Sequence, residues 1–230
     1  MNSKVSAYFV HLFTALGVVF GFLALLATVK QEIPEAFLWL ALALFVDGVD
    51  GTLARAAKVK ENTPNIDGAV LDNIIDYLNY VVVPVFIFYT LEMVPGPYLM
   101  FSSAAILLVS CFTFINTNLK TEDYYFSGFP ATWNIIVLYF YILNSDQWIN
   151  FIFVLILCAL TFVPLKYVHP FRVVEFRKLT LLITFVWMIT TTILLFDVTF
   201  TNSIIGTINF VIWLLTNAYF LGTVIYRSIR

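Results

Sequence analysis

The sequence predicts an all-α protein: a polytopic bundle of about eight membrane-spanning helices with both termini in the cytoplasm. Three observations point there. The 230 residues are 61% hydrophobic and 11% charged, whereas soluble domains are roughly half apolar and about a quarter charged. Mean hydropathy is +0.93, and the apolar residues gather in runs near the ~20 residues that cross a hydrocarbon core. The basic residues, finally, collect on one side of those runs. A net charge of −2 and the lack of any basic domain give no footing for nucleic acid.

The first run, 7–29, is long and no A-x-A-like cleavage site follows it, so it reads as a span and not a signal peptide. The second (34–55) and third (68–92) enclose the longest connection, "AAKVKENTPNID". The fourth covers 97–118. The fifth (130–145) and sixth (148–165) are shorter and meet at "NSDQ". The seventh (178–197) and eighth (203–226) follow the basic stretch "KYVHPFRVVEFR", which suits anionic headgroups. Such short connections leave no room for a second domain, so 1–230 is expected to be one membrane domain. Of the twelve lysines and arginines, only Lys30 falls on one side. The other eleven fall at Lys4, after the second, fourth and sixth runs, and at the C-terminus. The positive-inside rule makes that side cytoplasmic, which agrees with an even number of spans.

The residues that composition does not explain are acidic. Asp47 and Asp50 close the second run in "DGVDGTLAR". Asp72 and Asp76 open the third in "GAVLDNIIDYLNY". Spacings of three and four put each pair on one helix face. In an antiparallel hairpin, facing residues keep a constant sum of residue numbers. Asp47 with Asp76 and Asp50 with Asp72 give nearly the same sum, so the pairs should match in depth. The inner pair then lies about 12 Å inside the loop ends. Four carboxylates at one apolar level cannot all stay ionised without a counter-charge. An all-oxygen set suits two Mg²⁺ or Mn²⁺ ions, and a two-metal clamp suits phosphoryl transfer. The plainer alternative is interfacial acids paired with Arg55, Lys58 and Lys60. Gly48, Gly51, Ala54 and Gly68 clear space beside the acids for a ligand or another helix, and Arg55 suits a phosphate. Cys111 and Cys158 lie in apolar runs and read as buried small hydrophobes. His11 reads as a partner between helices and His169, beside Pro170, as a turn or interface residue. Neither has metal-ligand spacing.

The pattern Asp47-x-x-Asp50-Gly51-x-x-Ala54-Arg55, followed by Gly68-x-x-x-Asp72-x-x-x-Asp76, resembles the signature of the CDP-alcohol phosphatidyltransferases, with all eight fixed positions present. The twelve residues between Arg55 and Gly68 are at the long end of the family's range. The segments "HLFTALG", "LFVDGVDGTLAR", "VKENTPNIDGAVLDNIIDYLNYVVVP", "FPATWN" and "HPFR", in that order, extend the likeness over nearly the whole chain. They are most similar to bacterial members that use choline. The resemblance implies a catalytic helix pair at about 34–92 and transfer of the phosphatidyl group of CDP-diacylglycerol to choline, with release of CMP. It implies that Asp47, Asp50, Asp72 and Asp76 hold two divalent ions, Mn²⁺ or Mg²⁺. Asp76 would also be the general base, and Gly51, Ala54, Arg55 and Gly68 would bind the cytidine diphosphate. It further implies a homodimer in the bacterial inner membrane, surrounded by lipid and working near the cytoplasmic face.

Choline needs aromatic faces and nearby acids, because a quaternary ammonium donates no ordinary hydrogen bond. Tyr77, Tyr80, Glu122, Trp133 and Asn134 are candidates, among further aromatics (Tyr124, Tyr125, Phe129) near the same helix ends. Interface belts and helix packing explain any single one of these aromatics better, and interhelical packing explains Asn134 equally. Serine, inositol or glycerol phosphate remain open as acceptors. A cation or proton transporter is the other class, but its acids would sit nearer the midplane and in repeated halves.

Overall fold

The computed structural model describes residues 3–116, 125–168, 175–197 and 203–229. Its helices coincide with the predicted runs. Helix α1 (Ser3–Val29), α2 (Ile33–Ala56) and the one-turn α3 (Val59–Asn62) come first. Next is a helical rod, Gly68–Thr90, made of α4 (Gly68–Tyr77), a π-helical segment (Leu78–Val82) and α5 (Val83–Thr90). Then come α6 (Gly96–Ile115), α7 (Trp133–Leu143), α8 (Gln147–Leu160), α9 (Arg177–Phe196) and α10 (Ile204–Ile229). Six of these, counting Gly68–Thr90 as one, are long and apolar enough to cross a membrane.

The fifth and sixth runs give shorter helices than expected. At 11 and 14 residues, α7 and α8 extend only about 17 and 21 Å. The missing length lies in "SGFPATW" and "TFVPLK", where each segment holds a proline and the apolar residues build turns instead. Gly128 has φ +87, its N–H donates to the Leu165 carbonyl, and the Phe129 N–H donates to that of Leu160. A Cβ on Gly128 would collide with the Thr161 carbonyl, so only glycine fits. Strand β1 (Tyr125–Ser127) then pairs antiparallel with β2 (Lys166–Val168), Phe126 opposite Tyr167. The all-helical expectation missed this ribbon because its strands are three residues long and belong to connections.

By packing, the chain forms two compact units. The first comprises residues 1–114 and 132–138; the second comprises 115–131 and 139–230. In the first, α1 and α2 pack together, and the buried residues of the two helices include the small Ala24, Ala27, Ala36 and Ala43. Small side chains let helices approach closely where lipid offers no hydrophobic drive to associate. Gly17 and Gly21 do the same for α1 against the Gly68–Thr90 rod. A Cβ on Gly17 would lie 2.6 Å from Ile75 Cγ2, and one on Gly21 would meet the Asn79 amide. The Asn79 Nδ2 donates to the Gly17 carbonyl at 3.0 Å, tying the rod to α1. Cys111 corrects the sequence reading: it is exposed on α6, not buried, and its thiol donates to Tyr77 Oη. Cys158 is buried as expected.

In the second unit, α9 and α10 are joined by polar side chains. Trp213 Nε1 donates to Thr191 Oγ1 at 3.0 Å, and Asn209 Nδ2 donates to the Thr190 carbonyl at 3.1 Å. Tyr139 accepts from Trp187 Nε1 and donates to Asn217 Oδ1. Near the chain end, Arg227 pairs with Glu175 and lies over the Tyr125 ring at 5.2 Å.

Gly17→Ala should lower the melting temperature in detergent, because the overpacking cost of about 1–3 kcal/mol exceeds the ~1 kcal/mol helix-propensity gain. Gly222→Ala, with no atom within 4 Å of its Cβ, should leave stability unchanged or slightly raised. Equal melting temperatures for Gly17→Ala and the parent would contradict the packing described.

Candidate active site

Local sequence explains how the acids are presented. Asp67 caps α4: its carboxylate accepts from the Ala69 and Val70 N–H groups at 2.9 and 3.2 Å. That fixes where α4 starts and so where Asp72 and Asp76 point. On α2, Asp47 and Asp50 stand one turn apart. All four carboxylates line one cavity, with Thr14, Leu40, Ala43, Ile75, Asn79, Tyr80 and Asn134 among its other walls. One oxygen from each of Asp47, Asp50 and Asp72 can be chosen so that all three lie within 4.8 Å of one another. Asp76 borders the same cavity without belonging to that trio.

Two hydroxyls orient two members of the trio. Thr14 Oγ1 donates to Asp50 Oδ2 at 2.8 Å, and Asp50 is only 6% exposed. Tyr80 Oη donates to Asp47 Oδ2 at 2.6 Å. Tyr80 belongs to the π-helical segment, and such wide turns often mark functional sites. Two of the three basic residues of the plainer alternative are engaged elsewhere. Arg55 is exposed and donates to Thr52 Oγ1 at 3.0 Å, and Lys58 faces Glu61 at 3.9 Å in solvent. Neither lines the cavity.

Gly51, Ala54 and Arg55 lie in the last turns of α2 and Gly68 opens α4, all partly or fully exposed. A Cβ on Gly68 would come no closer than 3.4 Å to His11. Packing within the chain does not demand glycine there, which fits a ligand approaching from outside. His11 is a satisfied partner, but it joins α1 to the connection and not to another span. Its Nε2 lies 3.0 Å from Thr63 Oγ1, whose own proton goes to the Val59 carbonyl at 2.9 Å. Thr63 has one proton to give, so His11 Nε2 must be the donor.

Of the choline candidates, Tyr80 and Asn134 line the cavity. Tyr77 donates to the Leu107 carbonyl at 3.0 Å and packs edge-on to Phe114. Trp133, 1% exposed, donates to Ser110 Oγ at 2.9 Å. Tyr125 and Phe129 belong to the second unit. Glu122 and Tyr124, like His169 and the rest of "HPFR", lie outside the described residues. Sequence reasoning missed Thr14, the Asp67 cap and the Gly17–Gly21 contact. Each had a signal: a lone hydroxyl in an apolar run, an Asp just before a periodic helix, and a G-x-x-x-G spacing.

A helical membrane protein that turns four carboxylates from two neighbouring helices onto one cavity has the makings of an integral-membrane enzyme with an all-oxygen cation site. The chain belongs to the CDP-alcohol phosphatidyltransferase family, whose model matches residues 5–164. Its relatives include a phosphatidylcholine synthase of Pseudomonas aeruginosa, 43% identical over 99% of this chain and 94% of the relative. Phosphatidylcholine synthases of Mesorhizobium japonicum and Legionella pneumophila are 43% and 42% identical, covering 79% and 75% of this chain and 68% of each relative. The family's divalent metals fit the donor set, since hard carboxylate oxygens are what Mg²⁺ and Mn²⁺ select.

Thr14→Val and Tyr80→Phe should each weaken Mn²⁺ binding by about 10–100-fold, the usual effect of losing a group that orients a ligand. Isothermal titration of the purified protein reads this directly. Unchanged affinity in both variants would mean that the hydroxyls do not orient metal ligands.

Proposed function

We propose that the protein is a phosphatidylcholine synthase, transferring the phosphatidyl group of CDP-diacylglycerol to the hydroxyl of choline and releasing CMP. The observation that carries this reading is the convergence of carboxylates within 4.8 Å beside Asp76, in a chain whose near full-length relative bears that name.

Asp47, Asp50, Asp72 and Asp76 would hold two divalent ions, which when bound supply positive charge to the diphosphate and to the departing CMP. Arg55 would meet a phosphate oxygen with its fork of donors. Gly51, Ala54 and Gly68 would leave the backbone open to the cytidine diphosphate. Asp76 would take the proton of the choline hydroxyl as the new P–O bond forms. Tyr80 and Thr14 would keep Asp47 and Asp50 aimed while the site changes charge. The eleven one-sided basic residues support a site just beneath the cytoplasmic surface of the inner membrane. There soluble choline and a membrane-held lipid can both reach it. We infer also a single catalytic domain of eight spans and a homodimer, which sizing in detergent would report as twice the 26.3 kDa chain mass.

Purified enzyme with CDP-diacylglycerol should release CMP with choline and not with serine, inositol or glycerol phosphate. Excess EDTA should abolish the reaction and Mn²⁺ or Mg²⁺ restore it. Asp76→Asn should lower kcat by at least about 100-fold, as expected for loss of a general base. Inverted membrane vesicles should accept externally added choline where sealed right-side-out ones do not. Equal turnover with serine would overturn choline as acceptor, and ion flux without CMP release would overturn the enzyme assignment.

A further inference from the structure

One polar atom in the cavity has no use in the reaction as proposed. Asn134 is 7% exposed and lines the cavity with the four acids, and its amide oxygen is buried with no hydrogen-bond partner among the described residues. It is held there firmly. The preceding Trp133 is 1% exposed and its indole is bonded to Ser110 on α6, so the first turn of α7 cannot rotate freely. Two other orphaned atoms differ. Ser102 Oγ does not border the cavity, and the Asn79 amide is turned onto α1 at Gly17 and Gly21. An unmet buried acceptor costs free energy and calls for an explanation. A ligand that brings positive charge supplies one.

The residues lining the cavity reach inward from the acids to Ala43 and Leu40, about 10 and 15 Å beyond Asp50 along α2. The proposed nucleotide residues lie on the loop side of the acids, outside the cavity's lining. That leaves the cavity side of the acids to the incoming alcohol. Choline carries its charge on methyl groups around a nitrogen with no N–H. It is attracted by partial negative charge without needing a hydrogen bond. An amide oxygen offers that charge with no net negative charge. A carboxylate in its place would add a fifth acid and compete for the divalent ions.

We propose that Asn134 receives the cationic pole of the acceptor alcohol through its amide oxygen and sets the preference for a quaternary ammonium. The inference rests on the proposed transfer to choline. Hydroxyl and cation are thereby held at two points, the hydroxyl toward Asp76 and the ammonium toward Asn134.

The test uses the full chain in lipid nanodiscs, choline, and its uncharged carbon isostere 3,3-dimethylbutan-1-ol. Asn134→Leu, close in shape but without the dipole, should raise KM for choline by about tenfold or more, the scale of one lost charge-assisted contact. KM for CDP-diacylglycerol and Mn²⁺ affinity should stay within about twofold of the parent, below the threshold of a lost contact. The preference for choline over the isostere should fall by the same factor as choline binding. Asn134→Gln, which keeps an amide oxygen on a longer arm, should retain more of the preference than Asn134→Leu. Should the leucine variant fail to assemble, Asn134→Ala carries the same comparison. An active parent whose choline KM and isostere preference are untouched by either loss would overturn the role of Asn134 alone. A parent that releases no CMP with choline would overturn the proposed function and this inference with it.

Discussion

Carboxylate crowding inside a membrane is the constraint on which the rest of this structure depends. Asp47, Asp50 and Asp72 bring oxygens within 4.8 Å of one another, with Asp76 on the same cavity and Asp50 almost fully buried. Such proximity is unfavourable in low dielectric unless cations occupy the site. The surrounding architecture holds the acids against that repulsion. Two hydroxyls donate to them, from Thr14 on α1 and Tyr80 on the π-helical segment. The Asp67 cap fixes the start of α4.

Helix α1 is the backing plate of this arrangement. It packs along α2 and accepts the Gly68–Thr90 rod at Gly17 and Gly21. It also anchors the connection between the two acid-bearing helices through His11 and Thr63. One helix thereby touches both acid-bearing helices and the loop that joins them. A substitution on α1 can disturb the site without touching an acid. The close approach at Gly17 and the Thr14 bond to Asp50 lie within one turn of each other, so packing and ligand orientation are coupled over a few ångströms.

Much of this was legible in the sequence. The spans were visible because a membrane helix must be apolar over most of its length. The acids stood out because charge there is rare. Matching sums of residue numbers brought Asp50 and Asp72 to one depth, and their oxygens do converge. What stayed hidden depended on other things. Apolar residues beyond α7 and α8 extended the predicted spans, but Pro130 and Pro164 stop helices whatever the hydropathy. The three-residue strands are too short to show a period. The π-helical segment leaves no mark in composition, and the orphaned oxygen of Asn134 appears only once its neighbours are in place. Thr14 and Gly17 carried readable signals that the acids overshadowed.

The family relationship and the geometry lead us to a single physical proposal: carboxylates from α2 and α4 would act on the same divalent ion. A double-mutant cycle of Asp50→Asn and Asp72→Asn on Mn²⁺ affinity tests it most directly. If the two oxygens share an ion, each single change removes most of the binding and the double change removes little more. The coupling should then exceed about 1 kcal/mol, as for residues in one network. Fully additive losses would mean that the two acids serve separate sites, and would contradict the account.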